Sequence, residues 1–220
     1  MMVNGQPVLS RARPQIQVSP AYGRIEHLLA ADTCVILDGG VSTELQRANL
    51  QGHQLDDEGL WGTWGLYNAP HAVLEVHRSF VAAGCDLIST DTWAILEAPE
   101  REAHGVAGAT LRPHWMDVAR LGVRLARQAV EEAGKSDDCA VAFTLNGDVT
   151  HPQQLDTLRL LLRVLAENPP DLIFMETMSL LRDDLTVPAV EIMLETGLPV
   201  WLSFRRCRDG VCGIHGQHWG

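Results

Sequence analysis

Five short apolar runs punctuate the chain, each ending in small or polar residues: CVILDGG at 34–40, CDLISTDTW at 85–93, AVAFTLNGD at 140–148, DLIFMETM at 171–178 and PVWLSFR at 199–205. Runs this short, apolar on both alternating faces, predict parallel strands buried on both sides. The stretches between them change period. Residues 71–83 follow Pro70 and put Val73, Val76 and Phe80 on one stripe, with Gly84 placed where a left-handed residue ends a helix. From Trp115 to Ala133, the apolar positions Val118, Leu121, Leu125 and Ala129 recur at helical spacing. Arg120, Arg124, Arg127 and Glu131 take the other faces, ahead of Gly134. Leu158, Leu161, Leu162 and Leu165 repeat the pattern before Asn168-Pro169-Pro170, and a last helix is expected from near Pro188, capped by Thr186, to Gly197.

Strand and helix alternating at this spacing predict right-handed crossovers and a parallel sheet, either open and doubly wound or closed into a barrel. The Gly39-Gly40 pair runs into Val-Ser-Thr-Glu-Leu with no third glycine in register, which disfavours a dinucleotide-binding sheet. In both architectures the ligand site forms outside the carboxyl ends of the strands, where Asp38, Thr90, Asp91, Asn146, Asp148, Glu176 and Ser203 fall. Asp38 and Glu176 can converge there on a small cation such as an amino-acid ammonium, with Thr90 orienting its neighbour. Each has a plainer reading beside it. Asp38 before two glycines also fits a simple turn, Asn146-Gly147-Asp148 is a turn signal, and Asp56-Asp57-Glu58 reads as a solvated loop. Glu176 resists this treatment. It follows Leu172, Ile173, Phe174 and Met175, and an acid ending so apolar a run needs a partner or a task.

Composition narrows the picture. With 220 residues, 46% of them hydrophobic, the chain has material for one core and reads as one domain. Its 28 acidic residues against 17 basic ones give a formal charge of -11, which repels polyphosphate backbones and anionic headgroups, so neither nucleic acid nor a membrane surface is an expected partner. No apolar run approaches the roughly 20 residues of a membrane helix, and a cytoplasmic protein is expected. Residues 1–23 hold three prolines, two arginines and no acid, and read as a loose N-terminal extension, with the folded domain at 24–220. The five cysteines make an odd count and read as buried reduced thiols.

The segment LDGGVSTELQR at 37–47 is similar to the opening of homocysteine S-methyltransferases, which include betaine-dependent enzymes and the homocysteine module of cobalamin-dependent methionine synthase. The likeness continues in order through Leu60-Trp61, Pro70, His77, the stretch Ala83 to Ile88, Thr90-Asp91-Thr92-Trp93, Phe174 to Met178 and Pro199 to Phe204. The resemblance implies a (β/α)8 TIM-type barrel, of which this chain supplies about the first five strands, making 24–220 a homocysteine-binding barrel domain incomplete at its C-terminus. It implies zinc-dependent transfer of a methyl group to the thiol of homocysteine, giving methionine, from a small-molecule or corrinoid donor. Carried over by residue, Asp38 and Glu176 grip the amino-acid end, Gly39 and Val41 offer backbone N–H groups to its carboxylate, and Thr90 stands beside them. Zinc keeps the sulfur as thiolate and fixes its direction.

Several positions depart from that family. Asp91 stands where Asn is usual, and Thr144-Leu145-Asn146-Gly147-Asp148 replaces a Ser-x-Gly-Pro loop. The family's zinc thiolates follow the sixth and eighth strands, so they are expected outside this chain and no catalytic residue is assigned within it. Cys207, Cys212, His215 and His218 form a possible zinc set, but Asp209-Gly210 is an ordinary turn and the two cysteines lack the spacing of a zinc knuckle. A loop is the stronger reading. The alternative function is a truncated, non-catalytic barrel fragment that binds an amino acid or a partner chain, associating through unclosed barrel edges.

Overall fold

A computed structural model describes residues 2–3, 6–7, 18–47, 60–103, 113–207 and 210–211. A hairpin of β1 (Met2–Val3) and β2 (Gln6–Pro7) precedes α1 (Pro20–Ala30), α2 (Val41–Arg47), α3 (Trp64–Asn68) and α4 (Pro70–Ala83). Then come β3 (Leu87–Ser89), a single 3-10 turn at Ile95–Glu97, α5 (Ala98–Ala103), α6 (Trp115–Glu132) and β4 (Ala140–Asn146). The chain continues through α7 (Pro152–Leu165), β5 (Leu172–Met178), α8 (Thr186–Leu194) and β6 (Val200–Phe204) to the hairpin of β7 (Arg206–Cys207) and β8 (Gly210–Val211).

The architecture is α/β. Strands β3, β4, β5 and β6 form one parallel sheet in chain order, with Leu87 paired to Ala140, Ala142 to Leu172 and Ile173 to Val200. Four of the five expected strands are present within their runs. The first run, 34–40, contributes only a parallel bridge from Leu37 to Leu87. Among the described residues it has a neighbour on one side alone, and Ile36 and Leu37 are left about half exposed.

Alternation along the strands sorts the core into two faces. Ile88, Val141, Phe143, Leu145, Ile173 and Met175 pack under the crossover helices. Leu87, Ala140, Ala142 and Leu172 face the other way, onto Ala21, Tyr22 and Ile25 of α1. Tyr22 also meets Trp201 edge to face at 6.3 Å and accepts a 3.0 Å hydrogen bond from its Nε1. Helix α1 starts at Pro20, with Ser19 Oγ accepting from Tyr22 N, so the boundary expected at residue 23 falls inside a helix whose face is buried. The sequence signal there is too short to see, because only three residues carry the packing.

The long helices follow their predicted signals. Helix α4 ends at Gly84, whose φ of 94° is the left-handed cap that glycine adopts most cheaply. Helix α8 differs from expectation. Thr186 is its first residue rather than its cap, because its hydroxyl accepts from Arg182 N at 2.9 Å, and the helix stops three residues before Gly197.

Two aspartates at strand starts tie neighbouring strands together. Asp86 accepts from Ile36 N at 2.8 Å and from Arg24 of α1. Asp171 accepts from Val141 N at 2.7 Å and is gripped at 2.7 and 3.0 Å by the two terminal nitrogens of Arg127. Each is almost fully buried, and each carboxylate replaces a ladder acceptor at the start of the adjacent strand.

Candidate functional site

The carboxyl ends of the strands open into a cavity of about 440 Å³. Asp38, Ser89, Asp91, Glu176 and Ser203 line it, and Trp61 and Trp93, packed edge to face at 6.0 Å, form part of its wall. Asp38 is set by β3: its Oδ2 accepts from Ser89 N at 2.7 Å and its Oδ1 from Ser89 Oγ at 2.8 Å. Glu176 sits in β5, in register with Asn146 of β4. Asp91 follows the end of β3 and accepts from Ser42 Oγ at 3.0 Å.

The three acids share one electrostatic condition. Burial pushes Asp38 up to about 6, against the lowering effect of the Ser89 donors. Burial, then the charge of Asp38, pushes Glu176 up to about 7. Asp91 rises to about 7 through burial, partly offset by Ser42 and reinforced by Asp38. No basic side chain among the described residues pairs with any of them. A pocket that concentrates carboxyls in this way can accommodate a cation.

Backbone strain gathers at the same place. Asp91 and Thr177, both lining the cavity, have φ values of 54° and 56°, a region costly to a β-branched residue. The left-handed turn after Glu176 ends the regular alternation of β5.

Other expected residues fall elsewhere. Thr90 is fully buried and outside the cavity lining: its Oγ1 lies 2.6 Å from Thr92 Oγ1 and accepts from Thr144 N at 3.3 Å. Ser89 and Asp91 share one face of the chain and Thr90 takes the other. Asp148 is a structural clasp: it accepts from Ser179 N at 2.6 Å, Leu180 N at 2.7 Å and the Ser179 hydroxyl, joining the loops after β4 and β5. Asn146 accepts from Asp148 N at 3.0 Å and also bonds Glu97, which burial raises to about 7. Ser42, Ser89 and Trp61 lay outside the set of strand-end candidates. For Ser89 a signal was available, since it lies two residues before Asp91.

A family model described as homocysteine S-methyltransferase matches residues 35–219. The chain belongs to the homocysteine S-methyltransferase family. Homocysteine S-methyltransferase 1 of Zea mays is 28% identical over 212 residues, covering 83% of this chain and 62% of the relative. Selenocysteine Se-methyltransferase of Brassica oleracea var. italica is 26% identical over 229 residues, covering 89% and 62%. The chain thus spans about three fifths of the length of these curated relatives. The solved structure of the homocysteine methyltransferase MmuM from Escherichia coli, in metallated form, shares the fold with a TM-score of 0.58 at 20% identity, over 84% of this chain and 69% of that one.

This member of the homocysteine S-methyltransferase family does not present a metal centre within its described residues. No group of three His, Cys, Asp or Glu side chains there is arranged to hold an ion, and the cavity lining contains neither Cys nor His. Cys85 and Cys139 are buried, with burial pushing both thiols up, the latter to about 12, while Cys34 is exposed against expectation because it lies ahead of the bridged residue at the sheet edge. Of the possible tail set, Cys212, His215 and His218 lie outside the described residues, as does the Asp56-Asp57-Glu58 run, and Cys207 is described by its backbone alone. No helix among the described residues is long and apolar enough to cross a membrane.

Proposed function

We propose that this chain is the homocysteine-binding part of a cytoplasmic methyltransferase that moves a methyl group onto the sulfur of homocysteine, giving methionine. One observation carries the reading: Asp38 and Glu176, both raised by burial, line one cavity without a basic partner among the described residues. The ammonium of an amino acid supplies the missing charge. The amides of Gly39 and Val41, both on the cavity wall, suit the carboxylate, and Thr90 supports the strand end from behind. In the reaction the S–H bond of homocysteine yields its proton, a new S–CH3 bond forms, and the donor keeps the electron pair of its broken bond to the methyl group. The donor is a small molecule or a methyl-corrinoid.

The described residues do not fit the zinc that the family implies, so its ligands belong outside them and no step is assigned to it here. The barrel follows the same logic. Ile36 and Leu37 on one sheet edge, and Leu202 and Phe204 on the other, are exposed apolar residues suited to pairing with further strand-helix units that close a (β/α)8 ring. In a chain lacking those units the same edges favour association.

Calorimetry with homocysteine tests the assignment. Asp38→Ala and Glu176→Ala should each weaken binding about tenfold or more, since each removes one of the two carboxylates that hold the ammonium. Unchanged affinity in both variants would sink it.

A further inference from the structure

The third acid of the cavity, Asp91, has a setting unlike the other two. It is 4% exposed, and while its Oδ1 accepts from Ser42 Oγ, its Oδ2 is buried with no hydrogen-bond partner. That oxygen faces α3. A Cβ placed on Gly65 would lie 2.9 Å from Asp91 Oδ2, 2.6 Å from Leu45 Cδ1 and 2.9 Å from Val73 Cγ2. Helix α2 therefore offers Asp91 one hydroxyl and a leucine methyl, α3 a bare glycine, and α4 a valine methyl. One turn along α4 from Val73 stands His77, also buried without a partner and held neutral by burial, which lowers it to about 4. The charges facing Asp91 among the described residues are of like sign: Asp38 above all, with Glu176 on the same cavity.

Asp38 offers the contrast, because both its oxygens accept donors from Ser89 and its ionised form is solvated from within. A carboxyl this deeply buried, with one oxygen unpartnered and Asp38 as its charged neighbour, holds charge poorly. We propose that Asp91 is a proton-holding residue: a neutral acid in the empty cavity, it gives up its proton when a cationic amino group settles beside Asp38, so that ligand binding is coupled to proton release. This rests on reading the cavity as an ammonium site. The Asp91 O–H bond breaks, the proton passes to solvent, the new carboxylate keeps the Ser42 donor, and the ammonium cancels the field of Asp38. The shift of Asp91 to about 7 agrees with this geometry.

Calorimetry of the full chain with homocysteine, in buffers of different ionisation enthalpy across about pH 6 to 8, counts the protons released. Glu176 contributes its own proton on contact. Asp91→Asn, of the same shape and at ease with a left-handed backbone, should still bind but release fewer protons, by up to about one per ligand. Ser42→Ala should move the release to higher pH, because it removes the one donor to the ionised form. Equal release by Asp91→Asn and wild type at every pH overturns the proposal. If homocysteine fails to bind the wild-type chain, the ammonium reading falls instead, and Asp91 is decided without ligand. The decline of Tm between about pH 4 and 7 should flatten in Asp91→Asn and extend to higher pH in Ser42→Ala, and an unchanged decline in a folded variant overturns the proposal. Should Asp91→Asn not fold, Ser42→Ala carries both tests.

Discussion

Asp86 and Asp171 do the same job at two strand starts with unequal support. Asp171 holds two nitrogens of Arg127 and the Val141 N–H, and its side chain is 1% exposed, whereas the Arg24 that serves Asp86 is 38% exposed. Removing Asp171 strands a guanidinium and a buried amide together. Asp171→Ala should therefore cost about 3 kcal/mol and Asp86→Ala visibly less, read as shifts in the urea midpoint. The reverse order would mean that exposure does not grade these clasps. Legibility at this scale was uneven for a physical reason. Asp38 and Glu176 could be picked out because an acid ending an apolar run is conspicuous. The choice among Ser89, Thr90 and Asp91 could not be made, because β3 is buried on both faces and its phase is set by pairing with β4.

At the scale of elements, the site depends on how closely β4 and β5 finish. Gly147 donates its N–H to Glu176 O at 2.7 Å, and a Cβ there would lie 2.7 Å from that same oxygen and 2.2 Å from Met178 Cγ. The backbone oxygen cannot swing aside, and the Met178 Cα, 3.0 Å from that position, is backbone as well. Gly147→Ala should push the two strand ends apart, costing about 2 kcal/mol in denaturant unfolding and weakening homocysteine binding through a displaced Glu176. An alanine variant with wild-type stability and affinity would show that the loop gives way freely. The long helices α4, α6 and α7 were readable because each combines an apolar stripe with a stop signal. Helices α1, α2 and α3 were not, since they bury only three residues apiece and their packing is decided by distant elements.

For the whole molecule, the buried acids set the pH dependence of stability. Asp38, Asp91, Glu97 and Glu176 bind protons more tightly when folded, so their contribution is full below the ordinary carboxyl range and is lost as pH rises through about 6 to 7. His77, lowered from 6.5 to about 4, acts oppositely: its contribution is present above 6.5 and is lost as pH falls toward 4. Four acids outweigh one histidine, so the Tm of the ligand-free chain should fall between about pH 4 and 7, followed by circular dichroism, and homocysteine should lift the alkaline side most. A Tm rising from about pH 4 to 7 would contradict the assignment of those four acids. The parallel α/β order was legible from the alternation of runs and helices, whereas the partial first strand was not, because apolar content alone does not say which run lies at an edge. The contact between Tyr22 and Trp201 carries a consequence for synthesis. The two residues are 179 positions apart, so on the ribosome α1 emerges roughly ten to forty seconds before its aromatic partner exists. A helix made early is thus locked late, and until then the apolar face it will cover lies open to chaperones.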